Sequence, residues 1–73
     1  MFSISLQRDG HLSHYSISAT SSDGWEVRME ADRQLTRHGV YHDWHRVERA
    51  QAVFVREVSE LTEHGWQIIA GHT

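Results

Sequence analysis

Residues 43–66 read DWHRVERAQAVFVREVSELTEHGW, and this stretch decides the fold of the chain. Apolar side chains recur in it at three- and four-residue spacing, the period of one buried face of an α-helix. Asp43 is suited to accept the free N–H groups of the first turn as an N-cap, and Gly65 is suited to the left-handed position of a Schellman stop. We therefore predict one capped amphipathic helix over about residues 44–64. The apolar stripe comprises Trp44, Val47, Ala50, Gln51, Phe54, Val58 and Leu61. Trp44 is in the first turn, so it either packs in the core or lies at its edge as part of a contact surface.

Upstream of the helix, the apolar pattern changes to a period of two, which is typical of half-buried β-strands. The predicted strands cover about residues 2–7, 12–19, 25–31 and 34–41. Turn-forming residues separate them, with Asp9-Gly10 as the clearest hairpin turn. The order predicts a single α+β domain over residues 1–73, in which a four-stranded antiparallel meander is followed by one long amphipathic helix (ββββα) that covers one sheet face.

The chain after Gly65 has two interpretations. Residues 66–70 form either a short C-terminal strand or an extended tail, and residues 71–73 are expected to fray.

Composition narrows the functional classes. The 73 residues include no Cys and carry a formal net charge of -3. Disulfides are therefore excluded, and binding of nucleic acid through bulk positive charge is disfavoured. No apolar run approaches the ~20 residues of a membrane span, and the N-terminus has no basic segment typical of a signal peptide. We expect a soluble cytoplasmic protein, and basic residues that are all Arg favour a GC-rich bacterial genome.

Catalytic signals are missing from the sequence. Ser, His and Asp are abundant, but no nucleophile elbow, glycine-rich phosphate loop or GxGxxG motif frames them. We expect no catalytic residues, no enzymatic activity and no cofactor.

The seven histidines raise the question of a metal site. His11 and His14 point to opposite faces of a strand and are poorly placed for one ion. His42 and His45 straddle the predicted helix start and could converge with Asp43 or His38. Solvated histidines near loops are the simpler interpretation, so no metal ligand is assigned, and a His-based metal-binding protein stays the third functional hypothesis.

The charges of the helix run against its own dipole. Its first two turns contain His45, Arg46 and Arg49, and its last two contain Glu57, Glu60 and Glu63. This order costs a few tenths of a kcal/mol per charge, and an antiparallel helix pair in a twofold dimer would explain it. Free drift of exposed charges would explain it as well.

The helix also resembles part of a known family. The segment Trp44-His45-Arg46-Val47 is similar to the tryptophan–glycine–arginine signature of WGR domains, with His45 at the glycine position. Phe54, Val58, Thr62 and Trp66 resemble the closing helix of those domains, which accompany DNA-repair polymerases. The resemblance implies DNA-contacting positions at Trp44 and Arg46.

The leading hypothesis is a small non-enzymatic interaction or adaptor protein whose partner is a second copy, as a homodimer, or another protein. The second hypothesis is a nucleic-acid-binding module with a local Arg/His patch. This patch would consist of Arg28 together with the basic residues among the candidates named below. No membrane partner is expected. The candidate binding residues are Trp44, His45, Arg46, Arg49, Arg37, His38 and His42.

Overall fold

The fold has the predicted α+β order with a fifth strand at its end. The structure, a computed structural model, describes residues 2–72. Its strands and helix follow the predicted order and bounds closely, and the alternative left open after Gly65 is resolved as a strand. The elements are β1 (Phe2–Arg8), β2 (His11–Ala19), β3 (Trp25–Ala31), β4 (Gln34–Tyr41), α1 (Trp44–Glu63) and β5 (Gln67–His72).

All neighbouring strands of the sheet are antiparallel, in the order β4-β3-β2-β1-β5. The predicted meander is confirmed, and β5 returns to pair with β1. The expectation that residues 71–73 fray was wrong at Gly71 and His72, because both pair with β1. Thr73 lies outside the described residues. The strands β4 and β5 are therefore the two edges of the sheet.

Both tight hairpins use left-handed backbone at their central positions. Asp9 and Gly10 have φ of 50° and 82°, and Asp32 and Arg33 have φ of 51° and 68°. Two successive positive φ angles give the turn twist that matches antiparallel strands. Arg33 occupies this conformation without the freedom of glycine, which is a local strain.

The predicted caps of α1 are confirmed. The Asp43 carboxylate accepts the His45 N–H at 3.0 Å. At the other end Gly65 has φ 91°, and the Trp66 N–H donates to the Leu61 carbonyl at 3.0 Å, as a Schellman stop requires. The helix ends at Glu63, one residue before the prediction.

The core lies between α1 and the middle of the sheet. Val47, Phe54 and Val58 of the helix are buried, as the stripe predicts. Trp44, at the first turn of the helix, is 49% exposed at the edge of the core, where its ring packs against that of Trp25. The buried sheet residues are Phe2, Leu6, Ser13, Tyr15, Ile17 and Val27.

One helix cannot cover a five-stranded sheet. A helix with its side chains is about 10–12 Å wide, whereas strands lie about 4.8 Å apart. The helix therefore leaves part of the sheet beside it uncovered, over β4. Among residues 2–72 no helix is long and apolar enough to cross a membrane.

Candidate functional site

A groove of about 750 Å³ lies between the first half of α1 and β4, and we call it the α1–β4 groove. Its apolar surface comes from the helix and from β3 and β4, and basic side chains stand on its walls. Its volume is in the range of ligand-binding clefts, although it is open along the side of the sheet. The groove is lined by Val27, Thr36, Arg37, His38, Gly39, Tyr41, Arg46, Arg49, Ala50, Val53 and Phe54.

The floor of the groove depends on Gly39. A Cβ at this position would lie 2.8 Å from the Tyr41 hydroxyl oxygen and 2.9 Å from the adjoining ring carbon. The Tyr41 side chain therefore lies directly over the backbone of β4 at Gly39. A glycine inside a strand often marks such a close approach, and here it gives the groove an aromatic floor.

Arg46 and Arg49 carry the charge of the helix wall. Both are exposed and line the groove at the three-residue spacing of neighbours on one helix face. Within residues 2–72 neither guanidinium forms an ion pair with a carboxylate. Two uncompensated positive charges beside apolar surface favour an acidic ligand that also has apolar groups.

Arg37 of β4 is held by the helix instead. Its two terminal nitrogens donate to both carboxylate oxygens of Glu57, and its guanidinium carbon lies 5.8 Å from the centre of the Phe54 ring. The Tyr15 hydroxyl donates to the same carboxylate at 3.2 Å. The hydrogen bonds from Arg37 lower the pKa of Glu57 and raise the pKa of Arg37, while burial, assisted by the negative charge of Glu57, raises the pKa of Tyr15 to about 12. Arg37 is therefore a compensated charge that fastens α1 to the edge strand.

Trp44 belongs to an aromatic cluster at the start of the helix. Its ring centre lies 5.1 Å from that of Trp25, with the ring planes tilted by 59°. His42 lies beside this cluster, where its Nδ1–H donates to the Asp23 carbonyl oxygen at 3.2 Å. Trp44 remains half exposed and can contact a partner, whereas His42 fixes the loop before β3.

The predicted Arg/His patch does not form one surface. His38 points to the open sheet face, where its Nε2 lies 2.7 Å from Glu26 Oε2 and where Arg28 also lies. Successive side chains of a strand point to opposite faces, so Arg37 and His38 are separated. His45 extends into solvent, with Nδ1 3.7 Å from Glu48. The structure thus brings Arg46 and Arg49 together with Arg37 at the groove, whose lining also includes His38, and leaves His42 and His45 outside it.

The other chemical groupings are limited. Among the described residues, no group of three or more His, Asp or Glu side chains is arranged to hold a metal ion. On the open sheet face the Ser5 hydroxyl hydrogen-bonds His14 Nδ1 at 2.6 Å, beside a shallow pocket of about 230 Å³. Glu30 lies opposite His14 in the strand register. Its carboxylate, however, forms an ion pair with Arg28 at 3.7 Å.

Comparison of the chain with protein-family models, curated proteins and solved structures finds no match. The resemblance to WGR domains stays a prediction.

Sequence reasoning missed the residues that form the groove itself. Gly39 and Tyr41 supply its floor, and Val53 supplies part of its helix wall. The isolated Gly39 inside an alternating strand was the available signal, since it indicates close approach of another group. The position of Val53 relative to β4 required knowledge of how the helix crosses the sheet.

Proposed function

We propose that the protein is a non-enzymatic interaction module that binds an acidic segment of a protein chain in the α1–β4 groove. The observation that carries this proposal is the pairing of an uncovered apolar strip of sheet with two uncompensated arginines, Arg46 and Arg49, on the wall above it. An acidic segment with apolar side chains would satisfy both features at once.

The shape of the site supports a polypeptide ligand. The groove is open along the edge strand, so a chain can lie along it without entering an enclosed cavity. Within the described sheet β4 has no neighbour on its outer side, which leaves backbone N–H and C=O groups for an added strand. Backbone pairing would supply affinity, and the groove would select the side chains.

The charge of the site supports an acidic ligand despite the formal net charge of -3. Arg37 is compensated by Glu57, but Arg46 and Arg49 have no such partner among the described residues. Charge complementarity of this local kind guides association and register more than it adds affinity.

Fluorescence anisotropy tests the proposal with a labelled peptide of Glu, Leu and Ala at about 50 mM salt, where charge interactions are weakly screened. The Arg46→Ala/Arg49→Ala variant is expected to lose at least tenfold in affinity. Its matched control, Arg33→Ala/Arg56→Ala, removes the same charge away from the groove and is expected to stay within twofold of the unmodified chain.

Equal losses in both double variants, or no binding of the peptide to a chain that is monomeric in sedimentation equilibrium, would contradict the proposal. The same assay with a labelled single-stranded DNA oligonucleotide separates the classes of partner. Binding of DNA without binding of the peptide would support the nucleic-acid hypothesis instead.

A further inference from the structure

We infer that the acidic partner is a second copy of this chain, joined through the outer edges of the two β4 strands. This inference rests on the proposed function of the α1–β4 groove and names its occupant. It follows from three features of the described residues: an apolar edge strand, a direction imposed by strand pairing, and the order of charges along one flank of α1.

The first feature is the apolar character of the β4 edge. Leu35 and Val40 are 49% and 46% exposed. They pair in register with Glu30 and Glu26, which places both on the open sheet face. Exposed large apolar side chains on an unpaired edge strand promote strand-to-strand association. The positive charge on the helix side of the same strand, on Arg37, is compensated by Glu57, so it does not oppose the approach of a second copy.

The second feature is geometric. Two identical edge strands pair antiparallel about a twofold axis perpendicular to the sheet. This operation keeps both helices on the same sheet face and makes them antiparallel. It also joins the two α1–β4 grooves across the seam between the copies, so the start of each helix stands opposite the end of the other.

The third feature is the charge order on the flank of α1 that faces β4. Side chains that recur at three- and four-residue spacing lie on one flank of a helix. On α1 this flank comprises Arg46, Arg49, Val53, Glu57, Glu60 and Glu63. That flank is basic at its start, apolar at its middle and acidic at its end. An antiparallel mate presents the same flank in the opposite order. Its Glu60 and Glu63, which unlike Glu57 are not paired with Arg37, therefore face the uncompensated Arg46 and Arg49. The arrangement also explains charges that oppose the helix dipole.

The opposite edge offers a weaker alternative. Ile68 and Ile69 on β5 are also exposed. However, the groove between α1 and the sheet lies on the β4 side. Association through β5 would leave Arg46 and Arg49 without acidic partners, so it is an outcome that the test must distinguish.

Cysteine cross-linking locates the seam, since the chain has no Cys of its own. Leu35→Cys, His38→Cys and Val40→Cys are oxidised alone and in pairwise mixtures, because a disulfide forms only between Cβ atoms about 3.5–4.5 Å apart. At least one β4 combination is expected to cross-link in high yield. Ile69→Cys on β5 and Val55→Cys on the outer helix surface are the controls and are expected to stay largely monomeric. Cross-linking of a control alone would overturn the inference.

Charge reversal tests the helix contact. Arg46→Glu/Arg49→Glu makes the charge at the start of α1 agree with the helix dipole, and Glu60→Arg/Glu63→Arg does the same at its end. Neither variant is therefore expected to lose stability. Each alone is expected to self-associate at least tenfold more weakly than the unmodified chain in sedimentation equilibrium. An equimolar mixture of the two variants is expected to form a heterodimer. The helix of one variant is then acidic at both ends, and the helix of the other is basic at both ends.

Unchanged self-association of both variants, or an unmodified chain that is monomeric at 100 μM, would overturn the second copy as partner. Neither result decides the proposed function, because binding of the acidic peptide to a monomeric chain would still depend on Arg46 and Arg49. If the peptide does not bind but the β4 strands of two copies cross-link, the groove serves self-association only.

Discussion

Arg37 on β4 donates two hydrogen bonds to the carboxylate of Glu57 on α1, and this ion pair fastens the helix to the edge of the sheet. Tyr15 of β2 donates to the same carboxylate, so three elements meet at one side chain. The contact accounts for one of the acidic residues that oppose the helix dipole. It also holds one end of the α1–β4 groove, while Arg46 and Arg49 line its other wall without partners among the described residues.

Loss of the Arg37–Glu57 pair should destabilise the fold in a pH-dependent way. The hydrogen bonds from Arg37 hold the pKa of Glu57 below its ordinary value. A carboxyl with a lowered folded-state pKa contributes fully above its unfolded pKa, and the contribution is lost as the pH falls through the folded pKa. Glu57→Gln is therefore expected to lower the free energy of unfolding by about 1 kcal/mol at neutral pH, and by progressively less below about pH 4.

Urea denaturation at a series of pH values measures this difference. Glu48→Gln, which removes an exposed carboxylate of the same helix away from the groove, is expected to change the free energy of unfolding little at any pH. A difference between the unmodified chain and Glu57→Gln that does not vary with pH would argue against the ion pair.

Tyr15 should make the fold sensitive to alkaline pH. Burial raises its pKa to about 12, above the ordinary tyrosine value near 10. Between these values the unfolded chain loses the hydroxyl proton while the folded chain keeps it, so stability falls as the pH rises through this window. Tyr15→Phe is expected to remove at least about 1 kcal/mol of that alkaline loss. Denaturation at several alkaline pH values tests this, and the control Tyr41→Phe should retain the full loss.

One substitution in the hairpin between β3 and β4 is expected to increase the stability of the fold. Arg33 has φ 68°, a conformation that glycine adopts without steric cost. Arg33→Gly is expected to raise the free energy of unfolding by about 1 kcal/mol. Asp32→Gly is the matched control, because its carboxylate accepts the Leu12 N–H at 2.9 Å and that bond would be lost. Thermal unfolding that shows destabilisation by both changes would contradict the strain at Arg33.

Neighbouring residues of α1 should differ sharply in their contribution to stability. Phe54 is buried and contacts the Tyr15 ring with centres 4.9 Å apart, whereas Val55 is 51% exposed. Phe54→Ala is expected to cost about 3–5 kcal/mol, which approaches the whole stability of so small a domain. Val55→Ala is expected to change the free energy of unfolding by less than about 0.5 kcal/mol. Similar costs in chemical denaturation would contradict the orientation of the helix.

Local signals explain what could be predicted from the sequence. Asp43, Gly65 and the apolar spacing of α1 act within a few residues of one another, so the helix and both of its ends were predictable. The pairing of β5 with β1 joins residues far apart in the chain, and residues 66–72 carry no clear alternation that would reveal it. The burial of Trp44 was left open by the sequence, because periodicity specifies a helix face but not where the sheet beneath it ends.

The candidate site was predictable only in part, for the same reason. Arg46 and Arg49 share a flank of one helix, which spacing alone reveals. To predict the groove, the width of the sheet relative to the helix must be known. To predict that Arg37 and His38 lie on opposite faces, the strand register must be known. Gly39 signalled a close approach but not the identity of the group that approaches it.

Nuclear magnetic resonance mapping tests the central claim, that the α1–β4 groove is the contact surface, most directly. The acidic peptide of Glu, Leu and Ala is titrated into ¹⁵N-labelled protein, and changes in backbone amide shifts are followed. The largest changes are expected at Gly39, Tyr41, Arg49 and Val53, whereas the amide shifts of Ser16 and Glu30, on the opposite sheet face, are expected to stay unchanged. Changes centred on the open sheet face, or no changes at any peptide concentration in a sample that is monomeric, would contradict it.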